Sequence, residues 1–482
     1  MNRKEFDFIG EMEIPSNSMA GIHSYRAVQN FPDSTRFNLE WYKSIGIVKK
    51  ACYLAYKEFV QSIHKEKLEE KIRFKLIDFP ILEKMLKVCD EIIEGKHFEH
   101  FIVPAIQGGA GTSINMNINE IISNRSLQLL GFEIGDYSRV DPLEHANVYQ
   151  STNDVIPTAL KVCIMRLLQK LESSINHLRK SIEQIEQIHR ETLRMGYTQM
   201  QEAIPSSYGR LFSTYNDALS RDWWRVSKCF ERIKIVNLGG GALGTGLAIP
   251  RFFIVNVIKQ LQNLVQMPVT KGENLQDSTA NLDSFVEVHA ILKAHAVNIE
   301  KMVSDIRLLA SDLVKQREIE IPQKQMGSSI MPGKINPVII EFAVSVSHKI
   351  YSNDMLISSL CGAGCLDLNA YIPMIGHTLI ESIELLIGVN ASLEKNLFKE
   401  LKINNPKSIT DFFMFPSITT ALVPYIGYNQ SAMLAKEMKN SSSDIFTANK
   451  KLNLLDTNHL EKLLTVNNLL NTGFSIFDTI NS

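Results

Sequence analysis

Cysteine is scarce in this chain of 482 residues, where Cys52, Cys89, Cys163, Cys229, Cys361 and Cys365 are the whole complement. Thiols so few and so widely spaced exclude a disulfide framework and read as free. Only Cys361 and Cys365 are close, and their CGAGC spacing suits neither a redox pair nor zinc. An excess of charge is also missing, because 51 basic residues offset 52 acidic ones to a formal net charge of -1. Without a run of like charges there is no footprint for a phosphate backbone or an anionic membrane, so neither nucleic acid nor membrane is an expected partner. No apolar run approaches the ~20 residues that span a bilayer, and the opening MNRKEFDFIGEMEIP lacks the apolar core of a signal peptide. A cytoplasmic protein is expected. The 12 histidines include no helical H-E-x-x-H and no cysteine partner. HFEH, His97 to His100, reads as solvated surface, and neither metal nor cofactor is expected.

What is present is a large apolar content, 45% of the residues, in a chain of a length that suits about three domains. Proline is absent between Pro157 and Pro205, Pro205 and Pro250, Pro268 and Pro322, Pro337 and Pro373, and Pro373 and Pro406. An interior proline costs a helix about 3 kcal/mol, so these intervals are where long helices can run. In the first, Ile164, Leu168, Leu171, Ile175, Leu178, Ile182 and Ile185 repeat at alternating steps of four and three. A helix from Pro157 to Arg190 would be about 50 Å long. Phe285, Val288, Leu292, Ala296, Ile299, Val303 and Ile306 draw a similar stripe in the third interval. The expected fold class is mainly α, with long antiparallel helices in a central bundle. Seams of this length exceed what one chain readily covers, which predicts a homo-oligomer. The expected domains are 1–142, 143–397 for the bundle, and 398–482, where Pro406, Pro416 and Pro424 interrupt the tail.

The run IVNLGGGALGTG holds Gly239, Gly241 and Gly244 in G-x-G-x-x-G register. No Asp or Glu follows from Pro250 to Gly272 to hold a ribose, and no alternation of strand and helix surrounds it. A tight interhelical loop is the expectation.

Four polar patches interrupt the helix-like sequence: QGGAGTSINMNINE (Gln107 to Glu120), NVYQSTNDVIPT (Asn147 to Thr158), GYTQMQEA (Gly196 to Ala203) and MGSSIMPGKINP (Met326 to Pro337). Their Ser, Thr, Asn and Gln side chains are neutral donors on short arms, and each patch is expected to precede a helix whose first N–H groups are unpaired. Taken singly, each is a helix cap. Asn336 before Pro337 suits an N-cap with proline at N1, and Ser151, Asn153 or Asp154 could cap the Pro157 helix. Taken together, they could grip carboxylates.

GSSIMPGKINP, with GTSINMNINE, QSTNDVIPTA and TQMQEAIP in that order, resembles the active-site signature of the aspartase/fumarase superfamily. VNLGGGALGTGL, LDSFVEV, LDLNAYIPMIGHTLIESIELL and SITTALVPYIGY extend the resemblance from about Glu11 to Lys436. It implies a three-domain, mainly helical subunit in a homotetramer, with active sites shared between subunits and a small-molecule substrate. The implied reaction is reversible elimination from a succinyl group to give fumarate. By the same resemblance Ser328 is the base on a mobile loop, with Lys334 and Asn336 beside it to stabilise a doubly charged aci-carboxylate. A serine alkoxide at neutral pH needs backbone amides and a nearby cation, which accounts for Gly327 and Gly333. Thr112, Ser151, Thr152, Asn153 and Thr198 would hold the carboxylates and the amino group, and Met331 would pack against the substrate.

The leaving group separates the members of this superfamily. Water leaves poorly unless protonated, and fumarases place a histidine directly after the threonine that is Thr198 here. This chain has Gln199, and an amide cannot relay a proton at neutral pH, whereas an ammonium needs no acid to depart. Ammonia loss from aspartate is therefore the implied activity, with hydration of fumarate, or ammonia loss from a substituted aspartate, as alternatives. From a different class, an inactive structural relative would keep the fold without the loop chemistry. Tyr197 stands where the family has arginine, His23 and Ser24 replace its QT, and SDLVKQREIEIP lacks the Gly-Pro-Arg before the loop. PLEHAN, with Glu144 and His145, replaces the fumarase-like PNDHVN, and Glu341 is retained without its histidine partner.

Overall fold

The computed structural model describes residues 2–313, 317–404 and 412–480, and they are mainly helical. They divide into two compact units, Met1–Glu172 with Trp224–Ala294 and His348–Leu386, and Ser173–Trp223 with His295–Ser347 and Ile387–Ser482.

The first unit opens with an antiparallel hairpin, β1 (Asn2–Asp7) and β2 (Gly10–Pro15), in which Asn2 faces Pro15 and Asp7 faces Gly10. Helices α1 (Ile22–Asn30), α2 (Leu39–Lys65), α3 (Phe79–Ile93) and α4 (Thr112–Leu130) follow. Local chemistry sets their ends. The side chain of Asn38 accepts the N–H groups of Glu40 and Trp41 at the start of α2, and Gly131 closes α4 at φ 83°. Helix α2 is buried on most of its surface, with Trp41, Tyr42 and Tyr53 among the largest enclosed side chains. The histidines of HFEH are not simply solvated, because tertiary partners were invisible in the local sequence. His97 Nε2 lies 2.7 Å from Glu91, and His100 Nδ1 accepts the N–H of Met19.

Among the described residues five long helices contribute to both units: α5 (Thr152–Ile188), α6 (Tyr208–Ile233), α9 (Asp283–Leu309), α10 (Val338–Gly362) and α11 (Ile372–Leu393). Between them lie β5 (Ile235–Val236), α7 (Arg251–Val265), β6 (Thr270–Lys271), which runs parallel to β5, and α8 (Asp277–Ala280). Helix α5 starts earlier than expected, and Pro157 lies inside it. A proline there deprives the carbonyl four residues back of its N–H partner, and the Asn153 carbonyl accepts Asn237 Nδ2 at 2.9 Å instead. Both predicted seams are helical and buried, the α9 stripe from Phe285 to Ile306 completely. They are covered within the chain, so the argument from uncovered seams to a partner subunit does not hold. A second correction concerns apolar length. Ile372–Phe398 is long and apolar enough to cross a membrane, at a mean hydropathy of 1.4, but 61% of that window is buried inside the protein. An enclosed helix needs no polar face, which is why this run outgrew the sequence expectation.

In the second unit β3 (Leu193–Thr198) and β4 (Gln201–Ser207) form a hairpin, and β7 (Ile319–Glu320) pairs antiparallel with β8 (Lys402–Ile403). Pro416 opens a short 3-10 segment, and Pro424 sits in the first turn of α12 (Val423–Ser441), which kinks at Gly427. The expected break at Pro406 lies outside the described residues, as do the residues numbered 314–316 within SDLVKQREIEIP. Phe412, Ile418, Leu422, Leu434, Met438, Ile445 and Leu460 form a core onto which Met195 of β3 packs.

Candidate active site

In the first unit two helix N-termini converge. Gly109, Ala110 and Gly111 all take left-handed backbone, φ 83°, 57° and 89°, and turn the chain into Thr112, the first residue of α4. A Cβ on Gly111 would stand 3.1 Å from Ile156 in the opening turns of α5, so the absence of a side chain lets the two helix starts approach. Ser151, Thr152 and Asn153 form the other start. Ser151 Oγ accepts the N–H of Asn153 at 3.2 Å, and Asp154 reaches back to accept the N–H of Ser151 at 3.0 Å. Thr112, Ser151, Thr152 and Asn153 thus gather at two helix starts, whose positive dipole ends favour an anion.

The same place holds groups that the sequence did not mark as parts of the site. Asp154 Oδ2 accepts the N–H groups of Gly239 at 3.1 Å and Gly241 at 3.0 Å, while Asn153 Nδ2 donates to the Ala242 carbonyl at 2.8 Å. The glycine run is a loop, as expected, though it links β5 to α7 and its task is to brace the α5 N-terminus. Burial pushes the Asp154 carboxyl up to about 6, against the pull of the N–H groups of Ser151, Gly241 and Gly239. Lys49, fully buried in α2, donates to Asn119 Oδ1 at 2.6 Å, and the Asn147 amide oxygen accepts from Asn115 at 3.0 Å. Burial lowers the Lys49 ammonium to about 8. Burial also pushes Glu120 up to about 7, and its carboxylate accepts the N–H groups of Gly21 and His23 and the hydroxyl of Ser24. His23 and Ser24, where the chain departs from the family pattern, are therefore anchors of α1.

The second unit carries the remaining predicted residues on two segments. Thr198 ends β3 and Gln199 begins the hairpin turn, so this patch does not precede a helix as expected. Gln199 and Met200 both take left-handed backbone, at φ 50° and 60°. That turn type normally calls for Asn-Gly, so local side-chain preference did not announce it. A Cβ on Gly196 would lie 2.9 Å from the Ile204 carbonyl at the bulge in this hairpin.

Ser328, Met331, Lys334 and Asn336 lie on one self-clasped loop. The Gly327 N–H donates to the Lys334 carbonyl at 3.1 Å, and Asn336 Nδ2 donates to the Gly327 carbonyl. Asn336 spends its side chain on this clasp and not on capping α10. A Cβ on Gly327 would fall 2.2 Å from the Lys334 carbonyl oxygen, and Gly333 sits at φ 79°. Both glycines are thus required by the backbone. Ser328 Oγ accepts the N–H of Ile330 at 3.2 Å and of Met331 at 3.0 Å. Two amides aimed at one serine oxygen favour its ionised form. Met331 and Lys334 are exposed, and among the described residues no hydrogen bond joins Lys334 to Ser328. Glu341 Oε1 lies 3.4 Å from Arg307 Nη2.

Two grooves in this unit are lined by β4 and the C-terminal helices, and neither contains Ser328 or Lys334. Among the described residues no three His, Cys, Asp or Glu side chains gather in a way that could hold a metal ion. Buried His289 lies between Asp354 Oδ1 at 3.1 Å and Ser382 Oγ at 3.0 Å, in the order of a hydrolase triad. Ser382 is fully enclosed and within hydrogen-bond reach of the Thr378 carbonyl, so no acyl substrate can reach it.

The lyase family model matches residues 10–351, and the model for the fumarase C C-terminus matches residues 418–471. An aspartate ammonia-lyase of a Bacillus species is 35% identical over 98% of both chains, and that of Escherichia coli K12 is 32% identical over 98% of this chain and 97% of its own. Among solved structures, a fumarate lyase:delta crystallin from Brucella melitensis bound to cobalt superposes with a TM-score of 0.89 at 31% identity, covering 97% of this chain and 99% of its own. A class II fumarase from Schistosoma mansoni gives 0.85 at 26% identity, over 97% and 98%. The chain is a lyase of the aspartase/fumarase superfamily, grouped by its curated relatives with the carbon–nitrogen lyases.

Proposed function

We propose that the protein is an aspartate ammonia-lyase that converts L-aspartate reversibly to fumarate and ammonia, with Ser328 as the base. The observation that carries this reading is the pair of amide N–H groups on Ser328 Oγ, in a loop whose two glycines have no room for a side chain or need left-handed backbone. The alkoxide takes the proton from the carbon next to the side-chain carboxylate. Charge then builds on that carboxylate, where Lys334 and the second amide hydrogen of Asn336, the one not donated to Gly327, stabilise it once the loop has closed. The electron pair of the broken C–H bond becomes the double bond, and the C–N bonding pair leaves with nitrogen as ammonia. Ser328 returns its proton to solvent. The helix starts at Thr112 and Ser151 to Asn153 suit the two carboxylates, and Thr198 suits the amino group. Gln199 supplies no acid, and an ammonium needs none.

As the resemblance implies, we further read the subunit as three domains and the assembly as a homotetramer whose active sites draw patches from different subunits; the charged N-terminal sequence supports a cytoplasmic location. Incubating the purified protein separately with L-aspartate, malate and 3-methylaspartate, and following the absorbance of the unsaturated product, tests the reaction. Turnover of aspartate well above the other two is expected. No turnover of aspartate would sink the assignment.

A further inference from the structure

Glu318 stands at the head of β7, on the approach to the Ser328 loop, with its side chain turned to the hairpin that carries Thr198. Its Oε2 accepts the hydroxyl of Tyr208 at 2.9 Å and lies 3.5 Å from Arg194 Nε. The Arg194 guanidinium, on β3, lies over the rings of Tyr197 and Tyr208, 5.5 and 5.7 Å from their centroids. Tyr197 is the neighbour of Thr198 in the strand. The ion pair is largely out of water, with side-chain exposures of 9% for Arg194 and 12% for Glu318. The backbone here is fixed as well. The Glu318 N–H donates to the Leu309 carbonyl, Asn404 donates its N–H to the Glu318 carbonyl and its side-chain amide to the Arg317 carbonyl, and buried Ile319 pairs with Ile403.

Beyond this root Lys324 Nζ pairs with Glu400 Oε1 at 2.6 Å, and α10 begins directly after the loop at Val338. Between these holds the hydrogen bonds of the loop are internal, joining Gly327, Ser328, Met331, Lys334 and Asn336, and Met326 and Ile330 project into solvent at 84% exposure each. The position of Ser328 therefore depends on how the root is held, together with the start of α10. We propose that Glu318 is a positioning residue for the elimination, fixing the root of the Ser328 loop to the hairpin that presents Thr198 and Gln199. This rests on Ser328 being the base. A displacement of about 1 Å at the reacting atoms can cost about a hundredfold in rate, so loosening the root should act on kcat more than on KM.

The test compares Glu318→Ala, Glu318→Gln and Tyr208→Phe with the parent, all full length. Glu318→Ala should lower kcat roughly 10- to 100-fold with KM within about threefold, because the loop closes into fewer productive geometries. Glu318→Gln, which keeps an oxygen to accept from Tyr208 and Arg194, should recover most of that loss. Tyr208→Phe keeps the ring over Arg194 and deletes only a hydroxyl, so it should fall between, and it serves if the alanine variant does not fold. Hydrogen exchange supplies a readout besides activity, and amides of residues 326–337 should exchange at least about tenfold faster in Glu318→Ala while α4 and α12 are unchanged. An unchanged kcat in every variant, or exchange that quickens throughout the chain without a local effect on the loop, would overturn the proposal. A parent that fails to deaminate aspartate would sink the underlying reading instead, and the two failures are distinct.

Discussion

The hydroxyl oxygen of Ser328 lies 3.0 Å from the backbone N–H of Met331 and accepts it. With the Ile330 N–H alongside, a negative charge on this oxygen would meet two oriented donors before any substrate arrives.

Replacement Ser328→Ala is expected to lower turnover of aspartate by at least ~10³-fold, since it removes a proton acceptor. The side chain is only partly enclosed, so melting temperature and oligomeric state should match the parent. Activity within tenfold of the parent would take the role away from Ser328.

With Gln199 at the hairpin turn, malate should be dehydrated negligibly compared with aspartate deamination. Parallel assays at matched substrate concentration decide this, and malate as the better substrate would show the leaving-group argument to be wrong.

If active sites are shared between subunits, two inactive variants should rescue each other. Thr152→Val and Ser328→Ala each lack one contribution, and random mixing should restore both to about one quarter of sites in a symmetric closed oligomer. Co-refolding the two and measuring fumarate release tests this. Thoroughly mixed hybrids that stay as inactive as their parents would remove the shared site.

Glu91 ties α3 to α4, the helix that begins at Thr112, by accepting Arg125 Nε at 2.8 Å and lying 2.7 Å from His97 Nε2. Burial would push its carboxyl up, but Arg125 and His97 outweigh that and hold it at about 2, against a usual 4.5. A depressed folded value means the stabilisation is complete above the usual value and is lost as pH falls from about 4.5 toward about 2. The gap corresponds to roughly 3 kcal/mol at most. Urea unfolding of Glu91→Gln and the parent should therefore show a stability difference at pH 6 that narrows at pH 3. An equal difference at both values would contradict the linkage.

The amino-acid sequence by itself determined the features that depend on neighbours along the chain. The spacing of Ile164 to Ile185 and of Phe285 to Ile306 announced two helices and their buried faces, because a helix puts residues three and four apart on one side. Gly327 and Gly333 marked an irregular loop, though only the structure shows that a Cβ on Gly327 has no room and that Gly333 takes φ 79°, and Ser151 with Asp154 announced a capped helix start. The tertiary structure alone decided what lies beside what. It covered the seams within the chain, buried a helix as apolar as a membrane span, and put Thr198 on a hairpin whose Gln-Met turn carries no local signal. It also brought Lys49, Asp154 and the glycine run together under the Thr112 and Ser151 patches, and set Glu318 against Arg194. Burial of a charge and the partner that compensates it arise between residues far apart in the chain, and no local period or motif records them.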